Sequence, residues 1–179
     1  MLKIENSALV IIDVQGKLAQ LVDGKEMLIS NLTRLIKGAQ LLNIPIVLTE
    51  QKPDKLGPTV PELLSFLNKI IPIKKESFSA WGSVGFQKSI IGLGRKQLII
   101  TGIETHICVY QTALDLLENG IEIHVLADAV SSRNSLNHKW GLEGIRNQGG
   151  EISTTEMALF QWIRTAADPR FKDLAKLVK

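Results

Sequence analysis

Three side chains in this 179-residue sequence are candidates for chemistry: the Asp13 carboxylate, the Lys75 amine and the Cys108 thiol. Cys108 is the only cysteine, and it follows an apolar, strand-like segment and a turn that contains Gly102. The first turn of a helix offers unpaired N–H groups and a partial positive charge, which favour thiolate over thiol. The position therefore indicates a reactive thiol, although a lone cysteine also fits a small buried core residue.

A thiolate, a carboxylate and an ammonium group together suit nucleophilic acyl transfer. Cys108 would attack an electrophilic carbonyl and form a thioester, which splits one difficult hydrolysis into two easier steps. Asp13 would act as general base and then as acid, while Lys75 would keep Asp13 ionised and favour the thiolate. Taken alone, Asp13 also fits a helix cap or a surface turn, and Lys75 also fits a solvated strand end.

Strand-like and helical segments alternate along the chain, and the three candidates come at the ends of strands. Apolar runs predict strands at 7–15, 44–49, 71–75, 97–101, 121–126 and 151–153. Apolar residues at helical spacing and turn signals predict helices at 26–42, 61–67, 83–93, 105–118, 136–147 and 155–165, with a loop at 127–134. We therefore predict one α/β domain over residues 1–179, with three α/β/α layers and a parallel six-stranded Rossmann-type sheet of order 3-2-1-4-5-6.

In a sheet of that order, the first and fourth strands are neighbours where the winding direction reverses. Ligands bind beyond the carboxyl ends of the strands at this point. Asp13 and Cys108 would then face each other across one crevice, and Lys75 would reach in from the third strand. Backbone N–H groups in the turn before Cys108 would stabilise an oxyanion, by about 2.7–4 kcal/mol per donor.

Composition limits the partners and the compartment. The 21 lysines and arginines are scattered, so we predict no nucleic-acid partner. The apolar runs are too short to span a bilayer, which predicts no membrane partner, and the N-terminal residues lack a signal-peptide pattern. A single cysteine excludes an intrachain disulfide and fits a reducing compartment, so we expect a cytoplasmic protein.

Five short segments, in order along the chain, carry a resemblance to a known family. They are 10–15 (VIIDVQ), 75–80 (KESFSA), 102–109 (GIETHICV), 128–133 (DAVSSR) and 154–156 (TTE). They resemble the isochorismatase-like cysteine hydrolase superfamily, which also contains nicotinamidases and N-carbamoylsarcosine amidases. The segments 49–53 (TEQKP) and 56–63 (LGPTVPEL) are similar to its branch of isochorismatase domain-containing proteins.

The resemblance implies an isochorismatase-like fold and an Asp-Lys-Cys catalytic triad at Asp13, Lys75 and Cys108. Lys74 is the competing lysine, but the offset of three residues to Phe78 favours Lys75.

The resemblance also implies a cis peptide bond between Ile103 and Glu104, with the N–H groups of Glu104 and Cys108 as the oxyanion hole. Nicotinamidases carry an Asp-x-His segment and further histidines that bind a metal, whereas residues 49–53 here contain no histidine. We therefore predict no metal and no cofactor. Members of the superfamily are commonly oligomeric, so we expect a homo-oligomer, a dimer or higher.

Residues that flank the triad in sequence are weaker candidates. Those for substrate contact are Gln51, Phe78, Trp81 and Tyr110, although Phe78 and Trp81 fit the core equally well. We expect a structural role for His106, and we expect Asp128 and Arg133 to hold the loop after the fifth strand. Thr155 and Glu156 would begin the final helix as its cap and first-turn acid.

The sequence thus predicts a metal-independent hydrolase of a small-molecule amide, carbamoyl or similar C–N bond. Three alternatives stay open: a catalytically silent interaction or regulatory protein, a vinyl-ether hydrolase of the isochorismate type, and a redox sensor. The sequence shows no clear arginine pair that would bind the dicarboxylate-like substrate of a vinyl-ether hydrolase. It also has no second cysteine that could resolve an oxidised Cys108 in a redox sensor.

Overall fold

The computed structural model describes residues 1–179 and contains a parallel six-stranded sheet. Its strands are β1 (Ser7–Ile12), β2 (Ile46–Gln51), β3 (Ile73–Lys75), β4 (Gln97–Ile103), β5 (Glu122–Ser131) and β6 (Glu151–Ser153). Their spatial order is β3-β2-β1-β4-β5-β6, and every neighbouring pair is parallel. The predicted sheet order is therefore confirmed.

Helices connect the strands. They are α1 (Leu18–Leu21), α2 (Lys25–Leu41), α3 (Pro53–Leu56), α4 (Pro61–Leu64), α5 (Val84–Leu93), α6 (Tyr110–Glu118), α7 (Ser135–Asn147), α8 (Thr155–Ile163) and α9 (Phe171–Leu177). The sequence prediction missed α1 and α3, because four residues are too few to show helical periodicity. It also missed α9, which lies in a short basic segment.

Both faces of the sheet are covered, as the buried residues of β1 show. Leu9 and Ile11 belong to one hydrophobic cluster, whose helical side chains include Leu32 of α2, Trp162 of α8 and Leu174 of α9. Alternate residues of β1 belong to a second cluster, with side chains from α5, α6 and α7. Because successive residues of a strand point to opposite faces, these two clusters make three α/β/α layers, as predicted.

The predicted loop at 127–134 is wrong over most of its length, because β5 continues to Ser131. Val125 lies opposite Ile100 of β4, but Val130 lies opposite Gly102, so the register shifts between these pairs. Such a bulge lets extra residues enter a strand without ending it. Ala127 and Asp128 in this irregular part are half-buried, and the apolar run that marks the strand in the sequence stops before them, at Leu126.

The helix predicted at 105–118 has two parts. Residues Thr105–Val109 form a π-helical turn, in which the Val109 N–H donates to the Glu104 carbonyl, and α6 follows from Tyr110. Cys108 therefore lies in a widened turn rather than in the first turn of an α-helix, which corrects the sequence prediction. Single π-helical turns inside helices are frequent at functional sites.

Gly102 lies where β4 passes close to β1, so a side chain at this position should destabilise the fold. Its φ is +108°, and a Cβ added to it would lie 2.1 Å from the Ile12 carbonyl oxygen. We expect Gly102→Ala to lower the free energy of unfolding by at least about 2 kcal/mol, because the backbone of β1 would have to move. Urea denaturation measures this change.

Gly92→Ala is the matched control. A Cβ at Gly92 in α5 would meet no heavy atom within 4 Å. Alanine should therefore raise stability there by up to about 1 kcal/mol through helix propensity. Equal unfolding midpoints for the two variants would contradict the prediction.

Candidate active site

Asp13 and Lys75 form a buried ion pair at the carboxyl edge of the sheet. Lys75 Nζ lies 2.5 Å from Asp13 Oδ2, and the two side chains are 0% and 3% exposed. Asp13 directly follows β1 with a φ of +51°, and Lys75 is the last residue of β3. The Thr49 hydroxyl of the intervening β2 donates to Asp13 Oδ1 over 2.8 Å. The ion pair therefore ties together the ends of three adjacent strands.

The Lys75 ammonium donates its hydrogen bonds to three other oxygens. They are Gln51 Oε1 at 2.9 Å and the carbonyl oxygens of Ser77 and Phe78, both at 3.0 Å. With Asp13 Oδ2 at 2.5 Å, four oxygens surround an ammonium that has three N–H donors, and the charged oxygen is the nearest of them. Each carboxylate oxygen has two lone pairs, so Asp13 can still accept a proton or hydrogen bond from another group.

Cys108 is the group that lies beside the Asp13 carboxylate. Cys108 is 8% exposed, and its thiol is within hydrogen-bonding contact of the Asp13 side chain. A second acceptor, Gln51 Oε1, lies 3.5 Å from the sulfur. The structure thus brings together all three residues proposed for the triad, and it adds Gln51 to them.

The electrostatics of the site differ from the sequence expectation. Burial raises the pKa of Asp13 above its usual value, against the opposing charge of Lys75. Burial also raises the pKa of Cys108 to about 12; Lys75 lowers it, and the Asp13 charge raises it further. The helix-end and lysine charges, which favour thiolate, are therefore outweighed by desolvation, and the thiol is neutral at rest. A neutral thiol next to a carboxylate suits proton transfer during attack rather than before it.

The turn before Cys108 has an unusual backbone and a fixed side chain. The Ile103–Glu104 peptide bond is cis. Glu104 Oε1 accepts hydrogen bonds from Arg133 N at 3.0 Å and Arg133 Nε at 3.1 Å. Burial opposes ionisation of Glu104, but these Arg133 bonds outweigh it and lower the pKa of Glu104. Arg133 therefore holds the turn that carries the candidate oxyanion donors rather than only its own loop.

The other candidates for substrate contact have different surroundings. The Phe78 side chain is 54% exposed, and its carbonyl binds Lys75. Trp81 packs edge-on against Phe86, with ring centroids 6.4 Å apart. Tyr110 lies against Gly144 of α7, where an added Cβ would approach its ring to 2.8 Å. Substrate contact by these three side chains stays a prediction.

Two expectations for the chain end are corrected. Asp128 Oδ1 accepts from the Thr155 N–H at 2.8 Å and hydroxyl at 3.0 Å, so it joins β5 to the start of α8. The N-cap of α8 is Thr154, whose hydroxyl accepts from Met157 N, and Thr155 is the first helical residue. Glu156 lies in the first turn, as expected.

His106 has structural partners, as expected. Its Nδ1 lies 2.9 Å from Ser132 Oγ, and its Nε2 lies 3.4 Å from Asn137 Nδ2. The histidine thereby links the π-helical turn to the segment that begins α7.

Sequence reasoning missed Gln15 and Thr49 as site residues. Gln15 is fully buried; its Oε1 accepts from Gln51 N at 2.7 Å, and its Nε2 donates to Gln51 O at 3.2 Å and Gly57 O at 2.7 Å. Both residues lie in segments that carried the family resemblance, at the ends of apolar strands. A polar residue at the end of a buried strand is the signal that would have found them.

Histidine, cysteine and carboxylate side chains do not form a group of three that could hold a metal ion. No helix is long and apolar enough to cross a membrane.

An open cleft of about 530 Å³ borders Lys75 and is lined by Lys52, Lys55 and Lys74 among others. Neither Asp13 nor Cys108 lines it, so we do not assign the substrate to it.

The family model for the isochorismatase domain matches residues 7–157. The chain belongs to the isochorismatase family. It is 39% identical over 176 residues to mouse isochorismatase domain-containing protein 2A, covering 98% of this chain and 84% of that protein. The resemblance read from the five segments is therefore confirmed.

Solved structures of isochorismatase-like proteins superpose closely. One is a Caenorhabditis elegans protein described as MAR1 ribonuclease, with a TM-score of 0.93 and 34% identity over 99% of this chain and 91% of that one. Another is the Escherichia coli YcaC gene product, an octameric hydrolase of unknown specificity, with a TM-score of 0.93 and 27% identity. That match covers 98% of this chain and 88% of the E. coli chain.

The raised pKa of Cys108 predicts how its alkylation depends on pH. With a pKa of about 12, the rate of modification by iodoacetamide should still be rising above pH 9. The Asp13 charge raises this pKa, so Asp13→Asn should shift the profile to lower pH. Lys75 lowers it, so Lys75→Met should shift the profile to higher pH. Intact-protein mass spectrometry measures the rates.

Circular dichroism at each pH is the control for unfolding. A wild-type rate that reaches its plateau below pH 9 would contradict the raised pKa. Profiles that stay unchanged in both variants would contradict the electrostatic coupling of the three residues.

Proposed function

We propose that this protein is a metal-independent hydrolase that cleaves an amide, carbamoyl or similar C–N bond of a small molecule through a thioester on Cys108. The observation that carries the proposal is the buried Asp13–Lys75 pair beside the lone thiol. Membership of the isochorismatase family and the likeness to an E. coli hydrolase support hydrolysis in general. Asp13 serves as general base and acid, and Lys75 as the electrostatic partner.

The first half-reaction forms the thioester. As Cys108 Sγ forms a bond to the substrate carbonyl carbon, the thiol proton passes to the Asp13 carboxylate. The same proton then passes from Asp13 to the departing nitrogen as the C–N bond breaks, so ammonia or an amine leaves neutral. The raised pKa of Asp13 suits a carboxylate that must hold this proton between the two transfers.

The second half-reaction consumes one water. Asp13 takes a proton from water as the water oxygen attacks the thioester carbon, and the C–S bond breaks. The proton returns to Cys108, and the product is a carboxylic or carbamic acid. Lys75 stays protonated throughout, and its charge favours both the Asp13 carboxylate and the transient thiolate.

The oxyanion of each tetrahedral intermediate is assigned to the backbone N–H groups of Glu104 and Cys108. The Glu104 side chain is fixed by Arg133, so the donor segment is held before substrate binds. Preorganised donors of this kind give about 2.7–4 kcal/mol of transition-state stabilisation each.

The alternatives have less support. A redox sensor requires an accessible thiolate, whereas Cys108 is buried and its pKa is raised. The residues around the ion pair supply no arginine pair for the dicarboxylate of a vinyl-ether substrate. A catalytically silent protein has no need for a desolvated ion pair aimed at a thiol, because such a pair is costly to bury.

The proposal includes a homo-oligomer in a reducing compartment such as the cytoplasm. The E. coli relative is octameric, and Leu136 and Trp140 of α7 are each 58% exposed here, which suits a subunit contact. A free thiol nucleophile requires reducing conditions. Because lysines and arginines are scattered, the proposal contains no nucleic-acid partner.

The test is ammonia release from formamide, acetamide, urea and N-carbamoylglycine, with and without EDTA. Where wild type turns over a compound, we expect Cys108→Ala to abolish release. Asp13→Asn should lower kcat by about 10²–10⁴-fold, because it removes the general base. Lys75→Met should lower kcat as well, because Asp13 loses its counter-charge. EDTA should have no effect.

Lys74→Met is the matched control for Lys75→Met. The neighbouring lysine is exposed and has no hydrogen bond to the ion pair. It should keep wild-type kcat. Wild-type turnover in Cys108→Ala, or its loss on chelation, would overturn the proposed mechanism.

A further inference from the structure

The orientation of the Gln51 side-chain amide is fixed by two partners of opposite kind. Its Oε1 accepts from Lys75 Nζ at 2.9 Å, and its Nε2 donates to the Glu76 carbonyl at 3.1 Å. The reverse orientation would place an NH₂ group against an ammonium and a carbonyl against a carbonyl. Gln51 therefore presents an acceptor, not a donor, toward the thiol of Cys108.

The main chain of Gln51 is also held in place. Both its N–H and its carbonyl are bonded by the buried side-chain amide of Gln15, which also binds the Gly57 carbonyl. Gln51 is the last residue of β2, so the strand and the Gln15 amide together set its position. A side chain fixed at both its backbone and its amide is preorganised for recognition.

The second lone pair of Gln51 Oε1 lacks a strong partner. A carbonyl oxygen accepts two hydrogen bonds, and Lys75 fills one site. The other site faces the Cys108 sulfur at 3.5 Å, a long and weak contact that ends once the thiol proton leaves. A substrate group that donates there would give this oxygen a second full hydrogen bond during the reaction.

We propose that Gln51 determines specificity by accepting an N–H hydrogen of the scissile amide or carbamoyl nitrogen. The substrates are then acyl donors with an N–H on the leaving group, and esters and fully N-substituted amides are disfavoured. The inference rests on the proposed function, since it requires Cys108 as the nucleophile. It follows the general rule that a site built for a hydrogen-bond donor rejects the analogue that lacks it.

The position of Oε1 fits this role. The carbonyl carbon under attack must lie about 3–3.5 Å from Sγ, and its nitrogen is one bond further. An acceptor 3.5 Å from the same sulfur is then within reach of that N–H. The bond would strengthen as the nitrogen gains charge from the Asp13 proton, so it favours the transition state over the bound substrate.

The test compares two alkylating probes of Cys108 that differ in one group, 2-chloroacetamide and methyl chloroacetate. Each rate of modification, measured by intact-protein mass spectrometry, is divided by the rate of the same probe with glutathione. In the wild type we expect the normalised ratio to favour the amide about tenfold, from a hydrogen bond of about 1.4 kcal/mol. Gln51→Met, which keeps the side-chain length but not the oxygen, should bring the ratio close to one.

Gln51→Glu is the matched control. It keeps an acceptor oxygen beside Lys75, so it should keep the amide preference while its charge slows both probes. A wild-type ratio near one, or an unchanged ratio in Gln51→Met, would overturn the role of Gln51. Because the wild-type ratio is decisive by itself, poor folding of a variant does not remove the test.

The two proposals fail in different ways. If neither probe modifies Cys108 faster than it modifies glutathione, after correction for the thiol pKa, both the nucleophile and the role of Gln51 are contradicted. If both probes react at Cys108 without preference, only the specificity inference is contradicted.

Discussion

The buried ion pair between Asp13 and Lys75 is the interaction on which the rest of the site depends. Two charges removed from water each cost several kcal/mol unless the surrounding groups satisfy them. Here Thr49 supplies the carboxylate with a donor, while Gln51 and the carbonyls after β3 surround the ammonium. The end of β2 and the turn after β3 are therefore shaped by one lysine.

The same arrangement determines how the thiol behaves. Because the Lys75 hydrogens are shared between Asp13 and three neutral oxygens, the ammonium stabilises Asp13 and still leaves the carboxylate lone pairs for the thiol. The thiol thus meets a carboxylate that is ionised by its neighbour yet free to accept a proton. A resting thiolate would add a second buried negative charge, which explains why Asp13 raises the pKa of Cys108.

The sequence predicted the sheet order and the meeting of Asp13, Lys75 and Cys108 because parallel strands present their carboxyl ends at one edge. It could not predict the bulge that carries β5 to Ser131, since this depends on register against β4. The sequence also could not predict the π-helical turn or the raised pKa of the Cys108 thiol. The turn depends on backbone geometry, and the pKa depends on how much water is excluded around Cys108.

Gln51 joins these features, because one oxygen both anchors the Lys75 ammonium and faces the Cys108 sulfur. Its two lone pairs have different partners at rest, one strong and one weak. In the proposed reaction only the weak contact changes, since Lys75 stays protonated throughout. Substrate selection can therefore act at the second lone pair without disturbing the ion pair, provided that the amide stays fixed by the Glu76 carbonyl and the strand end stays fixed by Gln15. In the proposed reaction the buried Gln15 amide therefore contributes to specificity through Gln51, whose main chain it holds.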